Sequence, residues 1–215
     1  MLSILALISE VLPIVLYLIF LKRNRGEGLW VIFLYSCLSF LTEPFFFILE
    51  LKIPVYIVYS GFTILEFTLF SFFFYSSLQE KRFKYISVIG ALIFYVIAFS
   101  SFTNQQEHPF DSLAASVEAI LIISYCILLL YEQIRDPSVI FVYDTKKFWV
   151  IIAFFLYFSS TLFLFVYSGT INEQQRHNYW AINNFFEILK NILFCISFIM
   201  KKSDKPAYAI DEFDA

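Results

Sequence analysis

Charge, histidine and cysteine are all scarce in this chain, and each shortage removes a class of protein. Only 15% of the 215 residues are charged, against about a quarter in an average soluble domain, so a water-solvated globular fold is excluded. The two histidines, His108 and His177, fall in connecting segments rather than in a cluster, which leaves a zinc or haem enzyme without ligands. The three cysteines, Cys37, Cys126 and Cys195, are odd in number, show no CxxC spacing and sit inside apolar runs. Neither a disulfide framework nor a thiolate metal site follows from that pattern. A net charge of -3 and a pI near 5.4 provide no basic surface for nucleic acid. No internal repeat, catalytic motif or cofactor motif stands out, which argues against an enzyme and against a transporter built from repeats.

What is abundant is hydrocarbon. Hydrophobic residues make up 60% of the chain, with 29 Phe and 14 Tyr, and the mean hydropathy is +0.75. Such a chain is solvated by lipid, and disorder is excluded for the same reason. Windows of about 20 mainly apolar residues, the length that spans a bilayer, occur at 2–21, 29–49, 53–78, 85–102, 112–132, 147–168 and 178–200. The expected fold is an all-α integral membrane protein, a single seven-transmembrane-helix bundle over residues 1–200 with a short tail at 201–215. Residues 1–21 have no basic segment at their start and no small-residue cleavage pattern, so they are expected to remain as the first helix.

The connecting segments alternate in charge. Lys22, Arg23, Arg25, Lys81, Arg82, Lys84, Arg135, Lys146, Lys147, Lys201, Lys202 and Lys205 fall on one side, and only Lys52 and Arg176 on the other. The positive-inside bias then puts the N-terminus outside and the C-terminus in the cytoplasm. Trp30, Trp149 and Trp180 each stand at the start of a span, where amphipathic rings favour the interface. The outer segment 103–111 reads as an exposed turn. The inner segment 131–147 holds VIFVY, too short to span, which is expected in the cytoplasmic interface, against a partner, or equally as an ordinary loop with its apolar patch tucked under the bundle.

Five acids and one cation lie inside the spans: Glu10, Glu43, Glu66, Glu118, Glu187 and Lys190. A charge at the helix centre costs about 2.5–3.5 kcal/mol, so five uncompensated acids would cost on the order of 12–17 kcal/mol. They must therefore face the interior, carry a proton or share a water-filled cavity. Each stands in a polar stripe at helical spacing, most clearly Asn183, Asn184, Glu187, Lys190 and Asn191 in the seventh span. Glu187 and Lys190, three residues apart, form a local pair. The remaining acids then have protons or a small cationic ligand as partners, in a cavity lined by Glu10, Glu43, Glu66, Glu118, Asn183, Asn184, Glu187 and Lys190. The competing reading is a protonated polar network that only holds helix register. Tyr and Phe are expected mainly as lipid-facing filler rather than as an aromatic cage.

A lysine in the seventh span is similar in position to that of retinal proteins. Here, however, the acid stands three residues before it and the third span has no arginine, so an ordinary ion pair is the better account. The strings YSGFTILEFTLFSFFFYSS, KFWVIIAFFLYFSSTLFLF and WAINNFFEILKNILF resemble those of short seven-helix integral membrane proteins of Bacteroidota, themselves similar to the membrane sensor halves of histidine kinases. The resemblance implies a bacterial inner membrane location and a shared internal site that includes Glu66 and the Asn/Glu face of the last helix. The expected function is that of a receptor-like or accessory protein with an outward-facing carboxylate cavity, signalling through a separate partner at its cytoplasmic face. A proton- or cation-coupled transporter would use the same acids, and a structural subunit of a membrane complex would need no cavity.

Overall fold

In hydrocarbon every backbone N–H and C=O must be satisfied within its own segment, which leaves an apolar chain little choice but helix. The computed structural model describes residues 2–25, 28–49, 55–104, 112–136, 141–167 and 173–201, and all regular structure among them is helical. The elements are α1 (Leu2–Ile19), α2 (Leu21–Asn24), α3 (Trp30–Leu49), α4 (Val55–Ser77), α5 (Lys81–Asn104), α6 (Ser112–Arg135), a 3-10 turn (Val142–Asp144), α7 (Lys146–Tyr167) and α8 (Glu173–Ile199). The side chains of Glu43, Arg176 and His177, together with Lys52, His108 and the tail from Lys202 onward, lie outside the described residues.

The expected spans coincide with the long helices, and the differences are at the ends. α5 starts at Lys81 rather than 85 and α8 at Glu173 rather than 178. Hydropathy windows stop at charged residues, whereas a helix continues past the hydrocarbon until its backbone bonding is broken. α1, α4, α5, α6, α7 and α8 are each long and apolar enough to cross a membrane. α3 is 20 residues long. Ile4, Leu5, Ile8 and Leu12 on α1, and Ile89, Ile93, Val96 and Phe99 on α5, are exposed. Faces of that character are solvated by acyl chains, and the chain has the build of an integral membrane protein.

The helices form a ring. α1 packs on α3, α3 on α4, α4 on α6, α6 on α7, α7 on α8, and α8 returns to α1, while α5 sits outside against α4 and α6. Gly90 permits the approach of α5 to α6. A methyl group there would collide with the Tyr125 hydroxyl and stand 3.1 Å from Leu121 Cδ2, and that hydroxyl donates to the Ser87 carbonyl at 2.9 Å. Gly90→Ala is therefore expected to lower stability by about 1–3 kcal/mol through overpacking, read as a lower Tm in detergent. Gly61, whose added methyl would meet nothing within 4 Å, is the matched control.

Two layers close the end of the ring where α1 finishes and α7 begins. The first is aromatic: Phe70 contacts Tyr35 at 4.6 Å and Phe154 at 4.3 Å between ring centroids, and Phe154 contacts Phe194 at 5.4 Å. Phe67, Phe73, Phe74 and Phe198 are also fully buried. Much of the phenylalanine expected to face lipid is instead the core of the bundle. The second layer is polar. Lys146 Nζ donates to the Arg23 carbonyl and to Asn24 Oδ1, both at 3.0 Å. Asn24 Nδ2 donates to the Phe198 carbonyl at 3.3 Å, and Ser197 Oγ to the Lys146 carbonyl at 3.0 Å. Lys146, counted from the sequence among the cations of the connecting segments, is 3% exposed and clasps three segments together.

Candidate functional site

The other end of the ring opens into a cavity of about 220 Å³, to which all six ring helices contribute and α5 does not. Its depth follows the helical repeat. Near the mouth stand Thr42, Tyr59, Phe165, Trp180 and Asn183; one to two turns deeper stand Glu10, Ser39, Glu66, Glu118, Tyr157 and Glu187. Side chains one turn apart on one helix share a face, so Tyr59, Thr63 and Glu66 of α4 all reach it, as do Asn183 and Glu187 of α8.

Six of the residues expected at the site, Glu10, Glu66, Glu118, Asn183, Asn184 and Glu187, line this one cavity. Lys190 lies directly beneath it. The Glu187–Lys190 pair is present but long, Nζ to Oε1 3.7 Å. The shorter bond of Lys190 goes to the Tyr35 hydroxyl at 2.5 Å. The Lys190 ammonium also sits over the Tyr35 and Tyr157 rings, 4.8 and 4.3 Å from their centroids. The bundle thus holds an aromatic cage around its own cation. Tyr35, the main partner of Lys190, was not legible in the sequence, because in a chain with 14 tyrosines no spacing marks it out.

The polar stripe of α8 does not act as a unit. Asn184 Nδ2 donates to Ser3 Oγ at 3.3 Å and Asn191 Nδ2 to Ser9 Oγ at 2.9 Å, so both tie α8 to α1. Asn183 accepts from the Tyr157 hydroxyl at 3.3 Å. Tyr17, aligned with Glu10 in the sequence, belongs to the closed end, where it packs on Phe33 and Phe198. Trp180 stands on the cavity rim, while Trp149 donates its indole N–H to the Tyr143 carbonyl at 2.9 Å.

Ser39 Oγ donates to Glu10 Oε1 at 2.5 Å. Glu10 Oε2 and Glu118 Oε1 are buried without a hydrogen-bond partner among the described residues. Four described acids face one cation, an excess of negative charge that only protons or a cation can balance. No group of three or more His, Cys, Asp or Glu among the described residues is arranged to hold a metal ion.

Two other hollows differ in kind. A groove of about 1020 Å³ between α4 and α5, walled by Ile57, Ile64, Leu92, Val96 and Phe99, faces outward and is almost wholly apolar. At the closed end a polar pocket of about 440 Å³ includes Glu80, Glu132, Gln133, Arg135 and Lys147. There the Glu132 carboxylate accepts the Gln79 and Glu80 backbone N–H groups at 2.8 Å each and so caps the start of α5.

No protein-family model, curated protein or solved structure matches the chain. The fold and the cavity define an all-helical protein with helices of membrane-crossing length around a carboxylate-lined pouch.

Proposed function

We propose that the chain is a seven-helix, receptor-like protein of a bacterial inner membrane, with its N-terminus and cavity facing outward, acting through a separate protein at its cytoplasmic face. The observation that carries this reading is the blind end of the cavity. Below the acids the passage is filled by Lys190, Tyr35 and then Phe70, Phe154 and Phe194, all buried. A pouch that binds and stops suits reception better than conduction. The proposed orientation is supported by Lys22, Arg23, Lys81, Arg82, Arg135, Lys147 and Lys201, which flank helix ends on the closed side, the side that the positive-inside bias favours as cytoplasmic.

Coupling between the two ends is built from shared helices. α1, α7 and α8 supply Glu10, Tyr157 and Glu187 to the cavity, and α7 and α8 meet the α1–α2 corner in the clasp of Lys146, Asn24, Ser197 and Phe198. A ligand that shifts α8 against α1 would be felt at that clasp. Proteoliposomes carrying the purified protein are expected to hold a proton gradient as well as empty vesicles do, and a signalling protein is expected to co-purify in near-stoichiometric amount from native membranes in mild detergent. Proton flux that disappears in Glu66→Gln would overturn the reading in favour of a transporter.

A further inference from the structure

We infer that the cavity takes a small organic ammonium ion, a protonated primary or secondary amine with a short apolar or aromatic body. The inference rests on the receptor reading for its biological sense and on the cavity alone for its chemistry.

The first observation is an imbalance of acceptors over donors. Glu10 and Glu118 line the cavity, are 5% and 3% exposed, and each keeps one carboxylate oxygen without a hydrogen-bond partner among the described residues. Five neighbouring donors already have acceptors. Ser39 already donates to the other Glu10 oxygen, Thr42 to the Leu38 carbonyl, Asn184 to Ser3, Tyr157 to Asn183 and Lys190 to Tyr35. What suits those two oxygens is a group that donates and does not accept, and carries positive charge. An ammonium is that group, with two or three N–H donors and no acceptor.

The second observation is the shape and lining. α1 and α6 stand across the ring from each other, separated by α3 and α4 on one side and by α7 and α8 on the other, so the two unpartnered oxygens approach the cavity from opposing walls. Between them the walls include Tyr59, Phe62, Tyr157, Phe158, Phe165 and Trp180, and aromatic faces attract a cation through the ring quadrupole. The protein already binds its own ammonium in this manner, Lys190 between the Tyr35 and Tyr157 rings. The volume of about 220 Å³ falls below the range of drug-sized pockets and equals roughly seven water molecules. That limits the ligand to a small amine, and the four acids exclude an anion.

The test uses the full-length protein purified in detergent and follows Tm and Trp fluorescence against 2-phenylethylammonium chloride. A saturable rise in Tm is expected, absent with 3-phenylpropionate and with sodium chloride at matched concentration. Glu118→Gln is expected to weaken the amine by about tenfold or more through loss of a charged acceptor, while Glu132→Gln, at the closed end, leaves it unchanged. Should Glu118→Gln fail to fold, Phe165→Leu on the rim serves instead and is expected to weaken the amine severalfold. Stabilisation by 3-phenylpropionate to the same extent would overturn the proposal, as would a response to sodium alone or no response to amines from methylammonium upward. Failure here with a co-purifying partner intact would leave the receptor reading standing; amine binding accompanied by amine flux into liposomes would keep the ligand class and overturn reception.

Discussion

Replacing Lys190 with methionine is expected to destabilise the detergent-solubilised protein by about 3–5 kcal/mol, the range for removing one partner of a buried ion pair. The ammonium is 1% exposed and stands 3.7 Å from Glu187. It donates to Tyr35 at 2.5 Å and lies over two tyrosine rings. Methionine keeps the volume and removes all of these at once, leaving Glu10, Glu66, Glu118 and Glu187 without a described internal cation. The fall in Tm should exceed that of Tyr35→Phe, which keeps the ring and loses only the hydroxyl, a loss of about 1.5–3 kcal/mol for a hydrogen bond to a charged group. Adding Glu187→Gln to Lys190→Met should recover part of the loss, because one carboxylate no longer lacks its cation. A double variant no more stable than Lys190→Met would mean that Glu187 is not coupled to the lysine, and that Tyr35 and the rings alone hold it.

Lys146→Met should have the next largest effect, about 2–4 kcal/mol, and should act at the opposite end. Its Nζ bonds the Arg23 carbonyl and Asn24 Oδ1 in a 3%-exposed position. Removing the donor leaves one buried and one part-buried acceptor without it, and bonds to a charged donor are worth about 1.5–3 kcal/mol each. Hydrogen exchange is the informative readout. Protection should fall first in α2, at the start of α7 and at the end of α8, while the cavity helices near Glu66 stay protected. Uniform loss across all helices would mean that the clasp is part of the global unfolding unit rather than a local fastening.

The helices of membrane-crossing length were legible because hydrophobicity acts on each segment separately. Twenty apolar residues between charges become a helix whatever their neighbours are, and the loop charges sort to one end by counting. The candidate acids were legible for a related reason: a glutamate amid apolar residues is conspicuous by its cost. The partnerships were less legible. The i,i+3 spacing of Glu187 and Lys190 correctly puts them within reach, yet the nearest partner of Lys190 is 155 positions away, at Tyr35. Lys146 looked like one more loop cation, because nothing local distinguishes a buried helix-start lysine from an exposed one. Phenylalanine at 29 positions cannot be divided into lipid-facing and core-facing by composition, and Phe70, Phe154 and Phe194 became a plug only through the rotation of three helices.

By itself, then, the sequence determined an all-helical chain with segments long and apolar enough to cross a membrane, their approximate ends and the acids that fall within them, since each depends on hydrophobicity and charge within about 20 residues. Only the tertiary structure decided that α5 stands outside the ring, that four of those acids share one blind cavity, and that Lys190 is caged beneath it. Those outcomes depend on which helix faces meet, and in hydrocarbon that choice is made by close packing and interhelical hydrogen bonds between residues far apart in the chain.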